Sequence, residues 1–94
     1  MPYIEKQYRK ELDKEIERLA DKIKKYNQDH IIWPGLLNYA ITKLILKTIP
    51  SFRYWTMSLI TGILENVKQE FYRRVVSPYE DQKKEKEGDV YNED

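Results

Sequence analysis

Ninety-four residues, 17 of them lysine or arginine and 16 aspartate or glutamate, with no cysteine, describe one small domain of nearly balanced charge. The balance excludes broad electrostatic capture of duplex nucleic acid, which needs a basic face, and the missing thiols exclude disulfides and thiolate metal sites. No apolar run reaches the length of a membrane span and the segment from Met1 to Lys6 lacks a signal-peptide centre, so the expectation is a protein with no membrane partner. Eight tyrosines and two tryptophans in so short a chain point to surfaces built for contact.

From Tyr3 to Tyr26 the apolar residues Ile4, Tyr8, Leu12, Ile16, Leu19, Ala20, Ile23 and Tyr26 recur at three- and four-residue steps, which predicts an amphipathic helix. Charges of both signs fill the other positions, as on a solvated face. A linker follows from Asn27 to Pro34. It carries the one histidine, His30, with no other ligand at metal-binding spacing. Its Ile31-Ile32-Trp33 run needs cover, either beneath the linker or against another subunit.

Pro34-Gly35 opens a second predicted helix, to about Thr48, with Leu37, Ile41, Leu44 and Ile45 on its apolar side. Asn38, Thr42 and Lys43 lie within one or two turns of each other. They are a candidate set for hydrogen-bonding one ligand, or ordinary solvent-facing residues. Pro50 breaks this helix, and Ser51 is a candidate N-cap for the next. Phe52, Tyr54 and Trp55 surround Arg53, an arrangement that suits either cap packing or the stacking of a base.

The third predicted helix runs from about Phe52 to Val76, on the stripe Trp55, Leu59, Ile60, Ile63, Leu64, Val67, Phe71 and Val75. Gly62 within it marks a place where another helix comes close. Pro78 is expected to end the helix and to turn Ser77 away from helical angles, leaving Arg73 and Arg74 in the last turn, at the negative end of the helix dipole. Beyond Pro78 the charged composition predicts disorder. The turn signal Gly88-Asp89 before Val90-Tyr91 predicts that those two residues clip the tail onto the bundle or onto a neighbouring subunit. The expected fold is therefore all-α: a three-helix antiparallel bundle over residues 1–78, a docking charged tail over 79–94, and assembly into a homo-oligomer through Trp33, Phe52, Tyr54, Trp55 and Tyr91.

Catalytic signatures are missing. Gly35, Gly62 and Gly88 are isolated, so there is no phosphate-cradling loop, and no serine or threonine has an evident histidine base. The expectation is a protein that is not an enzyme and carries no cofactor and no metal.

Five segments together carry a resemblance. They are Leu37-Asn38-Tyr39-Ala40-Ile41-Thr42-Lys43-Leu44, Gly62-Ile63-Leu64-Glu65, Glu70-Phe71-Tyr72-Arg73-Arg74-Val75-Val76, Pro78-Tyr79-Glu80-Asp81 and Gly88-Asp89-Val90-Tyr91, with Met1-Pro2-Tyr3-Ile4 at the start. The chain resembles a small uncharacterised family common in bacteriophage and metagenomic genomes. It departs from that pattern between Gln28 and Gly35 and between Pro50 and Met57. The resemblance implies a viral or mobile-element accessory protein in the cytoplasm of a prokaryotic host, and transfers no activity.

Two functions are compatible with these residues. In the first, an oligomer sequesters a nucleotide signal of host defence through Tyr72, Arg73, Arg74, Tyr79 and Lys83 with Asn38, Thr42 and Lys43, because arginine matches phosphate and tyrosine stacks on bases. In the second, a helical interaction module binds or blocks a host protein, and the arginines pair with Glu70, Glu80 or Asp81. Adjacent residues on a helix point about 100° apart. Arg74 is accordingly expected to pair with Glu70 and the Glu80-Asp81 turn, and Arg73 to meet an external anion.

Overall fold

A computed structural model describes residues 2–28 and 30–92, so the expectations placed on Met1, Glu93 and Asp94 lie outside the described residues. These residues are all helical or irregular, with no strand among them: α1 (Lys6–Tyr26), α2 (Trp33–Thr48), α3 (Tyr54–Phe71), a π turn (Tyr72–Val76) and α4 (Ser77–Glu87). They form two compact units, residues 2–60 and 61–92, with α3 running through the division.

In the first unit α1 packs against α2. The connection between them is organised by Asn27, whose Oδ1 accepts from the backbone N–H of Ile32 at 2.7 Å and of Trp33 at 2.9 Å. These are donors at the start of α2 that no turn of that helix can satisfy, and a side-chain oxygen supplied from the end of α1 does so instead. Asn27→Ala should therefore cost about 1 kcal/mol, read as a lower midpoint in urea with an unchanged slope. Pro50 ends α2 by holding Ile49 extended, at φ −60° and ψ 124°. Ser51 does not stand immediately before α3. Its hydroxyl lies 3.0 Å from Thr56 Oγ1, which donates to the Arg53 carbonyl at 2.8 Å.

The second unit departs from expectation at Pro78. The helix does not stop there: Val76 (φ −74°, ψ −47°) and Ser77 (φ −58°, ψ −49°) keep helical angles, and α4 continues to Glu87. The Ser77 N–H donates to Tyr72 O, an i→i−5 bond. A wider turn of this kind relieves the clash between a proline ring and the carbonyl four residues before it, while Pro78, in the first turn of α4, needs no N–H partner. The segment from residue 79 onward, whose composition predicts disorder and which is expected to be a charged, partly ordered tail, is thus helix as far as Glu87. Gly88 then turns the chain with φ +96°, a region that favours glycine. Val90 and Tyr91 do not clip onto the described residues by burial, because they stay 74% and 93% exposed.

Among the described residues no hydrophobic side chain is buried; Thr56, at 3% exposure, is the one buried residue. The stripes of α1, α2 and α3 are all substantially open. The Ile31-Ile32-Trp33 run is not packed beneath its linker either, since Ile31 is 84% exposed. Gly62 faces open space, so the close helix approach expected there is not made among the described residues.

Candidate functional site

The second unit holds the densest polar chemistry. Arg73 clasps Glu70 with two parallel bonds, Nε to Oε1 at 2.9 Å and Nη2 to Oε2 at 3.1 Å. This reverses the expected assignment, in which Arg74 took Glu70. Three- and four-residue spacings both place side chains on one helix face, so spacing alone does not choose between them. The fork of Arg73 at i+3 meets both carboxylate oxygens, a geometry with directional preference. Arg74 is exposed and makes no hydrogen bond or ion pair among the described residues.

Tyr72 donates its hydroxyl to Glu80 Oε1 at 2.9 Å. In an uninterrupted α-helix residues eight apart stand roughly 80° apart around the axis. One π turn of about 4.4 residues followed by one α turn closes that gap, so the contact is a product of the Pro78 accommodation. The bond and the negative charge of Glu80 raise the Tyr72 pKa, with a smaller push from the Tyr91 phenol. The contribution is therefore full below the ordinary tyrosine range and is lost as pH rises through the raised value. In an ultraviolet titration one tyrosine should ionise late, and Glu80→Gln should return it to the ordinary range.

Beyond Gly88 the tail borders a shallow groove of about 360 Å³ with α4, where Lys83 and Lys84 stand among Glu80, Asp81, Glu87 and Asp89. Asp89 Oδ1 accepts from the Tyr91 N–H at 2.8 Å, and this bond chiefly lowers the Asp89 pKa. The turn it holds is stabilised above the ordinary aspartate range and released as pH falls through the lowered value. Protection of the Tyr91 amide against exchange should drop in that acid window. Lys83 lines this groove among acids, and Tyr79 is exposed on α4.

Asn38, Thr42 and Lys43 belong to the first unit. The Thr42 hydroxyl donates to the Asn38 carbonyl at 2.8 Å, a local bond that occupies it. Lys43 instead lines an apolar groove of about 420 Å³ between α1 and α2, with Lys22 and Lys47 beside Leu19, Ile23 and Leu44. This groove was not foreseen from the sequence, although the apolar stripes that floor it were. Trp33, Phe52, Tyr54 and Trp55 are all exposed. No group of three or more histidines or carboxylates among the described residues is placed to hold a metal ion. No helix of the described residues is long and apolar enough to cross a membrane.

Fold and surface define a class: a small helical chain in which, among the described residues, no apolar side chain is fully buried and Arg73, Arg74, Tyr72 and Tyr79 are exposed. The chain belongs to the family described as Domain of unknown function (DUF6899), which it matches over residues 1–90. No curated protein and no solved structure matches it.

Proposed function

We propose that the protein is a non-catalytic homo-oligomeric binder, a phage or mobile-element accessory protein of the prokaryotic cytoplasm, and that its ligand is a nucleotide signal of host defence. The observation that carries the oligomer is the lack of any buried hydrophobic side chain among the described residues. A chain in that state has little burial to set against the entropy of ordering its backbone. The α1–α2 pair and α3 complete a three-helix bundle in the context of further copies.

Support for a nucleotide comes from Arg74, an exposed guanidinium with no partner among the described residues, on the same stretch of helix as Tyr72, Tyr79 and Lys83. Arg73 has a positioning part in this reading, because its charge is already met by Glu70. A second reading, an interaction module that blocks a host protein, is favoured by the open aromatic side chains of Trp33, Phe52, Tyr54 and Trp55.

A thermal-shift screen of the assembled protein against cyclic and linear nucleotides separates the two. A ligand at about 100 times its dissociation constant adds about 2.7 kcal/mol of stability. A clear upward shift with one nucleotide class is the expected result. If none moves the transition of a protein that light scattering shows to be assembled, the interaction module replaces the nucleotide reading.

A further inference from the structure

Helix α1 carries a second pattern within its apolar stripe. Leu12, Ile16, Leu19, Ile23 and Tyr26 follow one another at steps of four, three, four and three residues. That is the spacing of a coiled-coil seam, with Arg9, Ile16 and Ile23 at one core position of the heptad and Leu12, Leu19 and Tyr26 at the other. Leu12, Ile16, Leu19 and Tyr26 are 52%, 58%, 44% and 65% exposed in the chain and Ile23 is half-buried, so most of the seam is open.

We propose that α1 pairs antiparallel with α1 of a second copy, about a two-fold axis passing between Glu17 and Arg18. This rests on the homo-oligomer reading above. In that register Ile16 meets Leu19 of the second copy, Leu12 meets Ile23, and Arg9 meets Tyr26, each layer occurring twice. Glu15 then flanks the seam opposite Lys22 of the second copy, again twice.

Charge selects this arrangement over the parallel one. Parallel pairing sets Arg9 against its own copy inside the seam and gives Glu15 and Lys22 only Ala20 and Asn27 as flanking neighbours. Antiparallel pairing instead sets Arg9, whose Nε donates to the Ile4 carbonyl at 2.6 Å in the single chain, beside Tyr26, and joins both acid–base pairs. Within one chain Glu15 is met by Arg18 at 3.8 Å, an exposed contact that leaves the carboxylate accessible. Lys22 lies two turns further along α1, beyond reach of Glu15 in the same helix.

The groove between α1 and α2 fits the same partner. Leu19 and Ile23 of the seam are part of its floor, and Lys22 stands on its rim. Leu12 and Ile16 of the second copy are the residues that this register lowers onto Ile23 and Leu19. A seam half from each copy thus enters the other's groove, and its acidic flank, Glu15, arrives at the lysine rim.

The test uses charge reversal on the full chain, with oligomeric state read by sedimentation velocity. Glu15→Lys sets lysine against Lys22 across the seam, and Lys22→Glu sets glutamate against Glu15. Each variant alone should self-associate about tenfold or more weakly than the parent chain. An equimolar mixture should regain assembly, because both flanking pairs become lysine–glutamate between unlike chains. Glu17→Lys, the same charge change on the opposite face of α1, should leave assembly intact. The proposal is overturned if either reversal assembles like the parent, or if the mixture associates no better than its components. A parent chain that is monomeric at micromolar concentration instead removes the oligomer reading itself.

Discussion

Ile63→Asp is expected to abolish the folded assembly at micromolar concentration, with loss of most of the helical circular-dichroism signal. Ile63 is 53% exposed in the single chain. A surface substitution at such a site in a self-sufficient monomer changes stability by no more than about 0.5 kcal/mol. If α3 is instead covered by another copy, the aspartate is a charge driven into an apolar interface, a penalty of several kcal/mol. The two situations differ enough for one variant to decide between them. The same dependence predicts a melting temperature that rises with protein concentration, as mass action requires of an assembly whose subunits need one another. Lys24→Ala, on the solvated face of α1, should behave as the parent chain. A concentration-independent transition together with a fully folded Ile63→Asp chain refutes the oligomer.

Arg74→Ala should weaken nucleotide binding while leaving the melting temperature unchanged, since Arg74 makes no bond among the described residues. A charged hydrogen bond to phosphate contributes about 1.5–3 kcal/mol, so calorimetric affinity should fall roughly 10- to 100-fold. Arg73→Ala carries the opposite signature. It breaks the Glu70 pair, whose arginine side chain is 62% exposed, and the stability lost should be at most about 1 kcal/mol. Equal affinity losses from both variants, or none from either, would count against Arg74 as the anion contact.

The helical character of the chain was legible because three apolar stripes hold their period over several turns, and the breaks at the Asn27 linker and at Pro50 are written in residues with strong local preferences. The turn at Gly88 was legible for the same reason. Neither α4 nor its junction with α3 was. Pro78 carries a local preference against helix, and the outcome depended on whether the preceding turn could widen to receive its ring, a property of several residues at once. That widening also brings Tyr72 onto the face of Glu80, a pairing that no regular spacing in the sequence announces.

Arg73 and Arg74 show the same limit within one turn. Composition places two cations beside Glu70, but i+3 and i+4 are both neighbours of that carboxylate, and side-chain geometry made the choice. Asn27 lay in the sequence as a plain linker residue; its role appears only when the chain returns Ile32 and Trp33 to its side-chain oxygen. Sequence by itself determined which residues are apolar, at what period, and where the helices are punctuated, because those are properties of each residue and its near neighbours. The tertiary structure alone decided that these stripes are left uncovered in the single chain, because burial depends on how segments distant in sequence meet.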